Sequence, residues 1–390
     1  MKTVPVSDFA IFHQLAAQIA AGGRLDPPLW ERLGGWGYPV ALGFVYRLLG
    51  TGTFTAELFN LLLGVLSVLL LAVLTARVAG RRAAMFAGLL FLCWPEQLVL
   101  SSVLASEHLA MMLTLIALVL LVPTAEASRY RSIAAGAVAG LAVVVRPALA
   151  SLAVAGTVSL LLNPRSYVSR AISVASFVIA LLATVVMWNG CVSRTLVAGE
   201  LGSGWYSLMV GANASTGGKW SQHDLNAFAS RSGWAQANEF ARGEALRRIK
   251  SLGPRYASLM LQKMGTLWWD DGFAWRWSTG KIEGRLADSA GTVAYRGAAV
   301  LFHGLVWVLA IIGAGGVLKS LAFFGGVKLQ GTRLLVTFVA SGTVLHGVLE
   351  TQPRYHYALE PALLVLAAVA LDQLLSAGQR WVAPRCPPRR

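Results

Sequence analysis

Charged side chains are scarce in this chain. Asp, Glu, Lys and Arg make up 13% of its 390 residues, against about 25% in soluble domains. Acids are the scarcer sign, 18 against 33 basic residues. Cysteine is nearly absent. Cys93, Cys191 and Cys386 stand far apart, which excludes a disulfide framework and a cysteine metal site. The first 20 residues hold no apolar run, so no cleavable signal peptide is read there. No repeat with a period of about 20–50 residues is found, which excludes a solenoid.

Apolar residues fill the space that charge leaves. They reach 56% of the chain, with a mean hydropathy of +0.61. One soluble core cannot hide so much apolar surface, because the buried fraction levels off with size. The chain therefore reads as an all-α polytopic membrane protein, in contact with the lipid bilayer. Its net charge of +15 would suit nucleic acid, but Arg and Lys lie in short clusters between apolar runs. That is the pattern of cytoplasmic anchors, and no nucleic acid is expected as a partner.

Hydropathy and length predict about nine spans, at 56–79, 83–100, 107–123, 132–146, 148–162, 171–190, 296–318, 334–350 and 357–377. Every second connection is basic: Arg77, Arg81 and Arg82; Arg129 and Arg131; Arg165 and Arg170; Lys319, Lys328 and Arg333; Arg380, Arg385, Arg389 and Arg390. These ends are expected in the cytoplasm, and the others outside. Five regions follow. Residues 1–55 are a first outer loop with amphipathic helices, and 56–190 a six-span core. Residues 191–295 are an outer loop region with a Trp-rich interfacial helix at 256–277. Residues 296–379 hold three spans, and 380–390 a basic cytoplasmic tail. An odd span count puts the N-terminus outside. Either a first span is missing before Met1, or the following span draws a short tail across.

The unusual charges gather at one set of ends. Ionisable groups at a membrane are costly and mark function, although each has a plainer reading. Asp8 could cap the helix that follows it, or act as a general base. Glu107 and His108 open an apolar span. There an acid suits the helix dipole with Ser106 as cap, or the pair could orient a polar substrate. Arg146, before Pro147, could snorkel; an anion is the favoured partner, since a guanidinium grips phosphate in a fork. "ETQPRYHYALEP" supplies Glu350, Arg354, Tyr355, His356 and Glu360 within one turn. They could be solvated charges and belt aromatics, or a site for an anionic headgroup. "GANASTGGKWS", with Asn213 and Trp220, could be an ordinary loop or could contact a sugar.

The ordered set "PVSDFAIFHQLAAQIAAGG" before "GYPVALGFVYRLLG", "FLCWPEQLVLSSVLASEHLAMMLTLIAL", "GLAVVVRPALASL" and "ETQPRYHYALEPALLVLAAVAL" resembles the GT-C superfamily of membrane glycosyltransferases. The closest likeness is to its branch of protein O-mannosyltransferases and lipid A aminoarabinose transferases. That resemblance implies a GT-C-like helical bundle with extracytoplasmic loops and interfacial helices, lacking the family's first span. It implies a polyprenyl-phosphate sugar donor, an inverting transfer of a hexosyl or pentosyl group, and a lipid, glycan or protein acceptor outside the inner membrane of a bacterium. On it, Asp8 and Glu107 become catalytic, and Arg146, Lys263, Arg354 and His356 bind the donor phosphate. Tyr38, His108, Asn213, Trp220, Glu350 and Tyr355 would line the substrate. No metal ligand is assigned, and a divalent metal stays open as a cofactor. In the family an Asp-Glu pair is common, whereas Phe9 follows Asp8 here. Two alternatives remain open: a ligase moving a glycan from a polyprenyl-diphosphate carrier, and a transporter of lipid-linked sugars.

Overall fold

The computed structural model describes residues 8–123, 129–163, 166–197, 202–269, 271–278, 290–319 and 327–382. Of the basic anchors, Arg165, Arg385, Arg389 and Arg390 lie outside them. The described residues form helices and turns, with a single isolated bridge between Leu25 and Val197.

Two helices precede the bundle, α1 (Asp8–Ala21) and α2 (Gly37–Leu49). They pack closely, and Gly43 sits against Ala16 and Ile19 where a side chain would collide. The bundle opens with α3 (Thr53–Ala79), α4 (Arg81–Leu92), α5 (Pro95–Leu100) and α6 (Ser106–Leu121). It continues through α7 (Arg129–Val145), α8 (Ser151–Leu161) and α9 (Tyr167–Thr195). Four helices then build the long insertion: α10 (Gly204–Gly211), α11 (Gln222–Ala229), α12 (Trp234–Leu252) and α13 (Arg255–Trp269). After α14 (Phe273–Ser278), the bundle closes with α15 (Ala290–Lys319), α16 (Val327–Val348) and α17 (Glu360–Val382).

Each of the nine expected spans falls on helix, with one correction. The stretch read as a continuous span over 83–100 is two helices, broken at Trp94. Pro95 forces its predecessor out of the helical region, and Trp94 is extended at φ −72°, ψ 109°. By length and composition, four segments can cross a membrane: Thr53–Ala79, Tyr167–Thr195, Ala290–Gly315 and Glu360–Ala377. α6 and the stretch Pro147–Leu161 are apolar but shorter.

α17 is the hub. Ala362 to Ala370 are all buried, with α4, α15 and α16 packed around them. A helix apolar on every side belongs in such a place. α7 lies along α9 through Gly136 and Gly140, four residues apart on one face. A Cβ at Gly136 would strike the Phe177 backbone, and one at Gly140 would lie 2.8 Å from the Leu181 carbonyl oxygen. Small residues at this spacing let apolar helices approach where no hydrophobic drive favours it.

The insertion has a small core of its own: Tyr206, Met209, Val210, Phe228, Trp234 and the alanine face of α12. Arg248 braces it, donating to both Asp224 oxygens at 2.8 Å and to the Met209 carbonyl at 2.9 Å. The Trp-rich stretch expected as one interfacial helix over 256–277 is α13 and α14. α13 buries Leu259, Lys263 and Leu267 and packs on α16.

Candidate active site

Proline positions the site. Arg146-Pro147 ends α7, because the residue before proline is pushed to extended backbone; Arg146 sits at φ −144°, ψ 109°. Gln352-Pro353 does the same ahead of a 3-10 turn, Pro353–Ala358, with Gln352 at φ −142°, ψ 153°. The first break lifts Arg146 out of an apolar helix, and the second sets Arg354 in the turn between α16 and α17. The turn before α6 is pinned from below. Tyr38 donates to Asn60 Oδ1 at 2.9 Å, and the Asn60 amide donates to the Val103 carbonyl at 2.7 Å.

Two ion pairs meet at these ends. Arg354 Nη2 lies 2.7 Å from Asp8 Oδ2, and Arg146 Nη1 lies 2.6 Å from Glu107 Oε1. Both guanidiniums rest on Tyr355, 5.1 Å from its ring centre for Arg146 and 5.6 Å for Arg354. Arg354 also faces the Phe273 ring at 5.5 Å. The Tyr355 hydroxyl donates to Glu350 Oε1 at 3.2 Å, and the Gln352 amide donates there at 2.8 Å. Asp8, Glu107, Arg146, Arg354, Tyr355 and Glu350 thus form one connected cluster.

Electrostatics follow from burial and pairing. Burial opposes the charge on Arg354, but Asp8, Tyr355 and Glu107 together outweigh it and hold the guanidinium above its ordinary value. Burial pushes the Glu350 carboxyl up, against the pull of Gln352 and Arg354. Asp8 is the accessible acid, its side chain 44% exposed, whereas Glu107 is 3% exposed. A half-exposed carboxylate beside a buried one divides the roles: the first can receive a proton, the second holds a cation in place.

An open cleft of about 570 Å³ adjoins the cluster. Lys219, Trp220, Thr266, Trp269, Phe273 and Gln352 line it. It touches the cluster through Phe273, beneath Arg354, and through Gln352, bonded to Glu350. Trp220, expected from the sequence to contact a sugar, therefore faces open space.

Other expected residues are occupied elsewhere. Lys263 is not free to meet a phosphate. Its ammonium donates to the carbonyls of Gly211, Val348 and Leu349 at 2.7, 2.9 and 3.0 Å, and burial pulls it down to about 8. His356 turns away from the two guanidiniums: Nδ1 bonds the Leu267 carbonyl at 2.7 Å and Nε2 meets Asp271 at 3.0 Å. Tyr38 and His108 are fully buried, and His108 Nε2 bonds the Leu100 carbonyl at 2.9 Å. Asn213 accepts from the Ser215 backbone and donates to Asp224 at 2.9 Å, closing its own loop. Ser106 opens α6 rather than capping it. Sequence reasoning missed Phe273, Gln352 and the buried Asp271, His303 and Glu360 as a group. His303 carries a signal, an imidazole alone in the apolar run "AAVLFHGLVWVLA".

Such a polytopic helical bundle, with acids and guanidiniums converging at the ends of its helices, is the fold class expected from the sequence. Residues 37–188, from α2 into α9, match the model of the family described as dolichyl-phosphate-mannose-protein mannosyltransferase. This bears out the resemblance to GT-C enzymes for that segment. Among solved structures, the chain is similar to the archaeal oligosaccharyltransferase AglB from Archaeoglobus fulgidus, in complex with an inhibitory peptide and a dolichol-phosphate. The identity is 13% and the TM-score 0.49, over 99% of this chain and 49% of that one. It is also similar to ArnT from Cupriavidus metallidurans in the apo state, at 17% identity and TM-score 0.41, over 100% and 78%. ArnT bound to undecaprenyl phosphate gives 17% and 0.39, over 99% and 77%. The chain spans about half the length of the archaeal enzyme. No curated protein matches it.

Proposed function

We propose that the protein is a membrane glycosyltransferase moving a sugar from a polyprenyl-phosphate donor to an acceptor hydroxyl, with inversion, at the extracytoplasmic face of a bacterial inner membrane. One observation carries the reading: Asp8, Glu107, Arg146 and Arg354 converge around Tyr355 beside an open cleft. The family match over 37–188 supports the reaction class. Two guanidiniums side by side at the ends of apolar helices suit a phosphate carried on a lipid.

The chemistry asks for three things. The acceptor hydroxyl must lose its proton as it attacks, and Asp8 is the accessible carboxylate. The phosphate must leave with its charge met, and Arg146 and Arg354 are fixed cations that need little reorganisation. The sugar needs an apolar and hydroxyl-bearing wall, which Trp220, Trp269 and Thr266 of the cleft provide. Carboxylate and phosphate would share Arg354, so donor binding would loosen Asp8 for its role as base. Glu107 would hold Arg146 in register. The five regions expected from the sequence fit this reading, with residues 191–295 and α1 bordering the site.

Incubating the purified protein with a panel of polyprenyl-phosphate sugars, and following released carrier by mass spectrometry, tests it. Asp8→Asn keeps the shape and removes the base, and should slow transfer by about 10²–10⁴-fold. Wild-type turnover in that variant would remove Asp8 from the mechanism.

A further inference from the structure

Asp271, His303 and His356 come from three separate stretches, yet all three are buried together. One ligand atom of each lies within 4.8 Å of the other two. Glu360, at the start of α17 and 0% exposed, stands beside them with Oε1 3.3 Å from His303 Nδ1.

Both imidazoles are aimed by consecutive backbone carbonyls at the end of α13. His356 Nδ1–H donates to the Leu267 carbonyl at 2.7 Å, while His303 Nε2 lies 3.1 Å from the Trp268 carbonyl and 3.2 Å from the Trp307 indole N–H. These contacts hold the outer edge of each ring and turn His356 Nε2 and His303 Nδ1 toward the cluster. A carbonyl behind the ring orients metal-binding histidines in this manner. Asp271 is aimed likewise: the Trp94 indole N–H donates to its Oδ2 at 3.0 Å, which leaves Oδ1 facing His356 Nε2 at 3.0 Å. The Trp268 ring covers both imidazoles, with centres 6.1 Å from His303 and 5.3 Å from His356.

The hydrogen bonding of the cluster is incomplete. His303 Nδ1 and both Glu360 oxygens are buried with no hydrogen-bond partner. Such groups are costly unless something satisfies them. Protonating both rings would give His303 Nδ1 and one Glu360 oxygen a partner, and would leave the second oxygen still bare.

We propose that Asp271, His303, His356 and Glu360 bind one divalent transition-metal ion. Two imidazoles and two carboxylates suit zinc in tetrahedral coordination. The site is closed and structural, since all four ligands come from the protein and none of them lines the cleft. The ion ties α15 and α17 to the 3-10 turn and to the segment before α14. Arg354 is two residues from one ligand and Phe273 two residues from another, so the ion would anchor both faces on which the proposed phosphate site rests. Metal binding itself does not depend on the proposed activity.

The test uses the full-length protein, purified in detergent through a tag without histidine from zinc-supplemented cells. Elemental mass spectrometry should find one zinc per chain. X-ray absorption should show a shell of nitrogen and oxygen with two imidazoles and no sulfur. His303→Gln and Asp271→Asn should each lose most of the metal while eluting as wild type does. A wild-type protein that holds no metal after zinc loading overturns the proposal. So does a shell with sulfur or fewer than two imidazoles, or a folded variant that keeps its zinc. If both variants fail to fold, the wild-type spectrum decides alone.

Discussion

Arg146 and Arg354 are legible in the sequence because each interrupts apolar residues beside a proline or aromatics, where an unpaired cation is expensive. Asp8 and Glu107 stand out for the same reason with the opposite sign. What the sequence hides is where a long side chain spends its donors. Lys263 has the chemistry of a phosphate ligand, but it binds three carbonyls that lie far from it in the chain. His356, next to Arg354 and Tyr355, turns into the interior because the Leu267 carbonyl and Asp271 wait there. No local pattern encodes either partner. Replacing Lys263 by Met should leave those carbonyls without a donor and destabilise the protein by at least about 2 kcal/mol. Thermal unfolding in detergent measures this, and an unchanged midpoint would show that water replaces the ammonium at no cost.

At the scale of elements, spacing and hydropathy announce most helices, and proline announces most of their ends. Arg146-Pro147 marks a boundary between two apolar stretches in the sequence as in the structure. Trp94-Pro95 hides its break, because both flanking runs are apolar and their sum has the length of one span. The break matters, since α5 is bolted sideways: Glu96 accepts from the Ala274 backbone and from the Tyr295 hydroxyl. The α7–α9 contact is invisible in the sequence, because Gly136 and Gly140 act through a neighbour elsewhere in the chain. Gly136→Ala should push the helices apart and cost about 1–3 kcal/mol, as overpacking does. Gly88 in α4 is the control, since a Cβ there meets nothing within 4 Å. Gly88→Ala should be neutral or stabilising, and equal unfolding midpoints for the two variants would dismiss the close-packing account.

For the whole molecule, composition and the alternation of basic connections lead to a polytopic bundle with the insertion on one side. Four segments meet the length and hydropathy of a crossing helix; the others lean on their neighbours. The proposed orientation puts the insertion outside and the α3–α4 connection within. In a cysteine-free background, Ser232→Cys, exposed ahead of α12, should react with a membrane-impermeant maleimide in intact spheroplasts. Cysteine in place of Arg81, exposed at the start of α4, should react only after lysis. The reverse pattern would invert the topology and move the acids and guanidiniums to the cytoplasmic leaflet.

α17 is the post around which the bundle stands, and it is the final described helix to leave the ribosome. α3 to α9 must wait with the middle of their assembly unfilled until α17 has been made. Early-arriving helices with nothing at their centre are exposed to mispairing and to quality-control proteases. Packing of the earlier helices therefore depends on a helix made after all of them rather than on their own insertion.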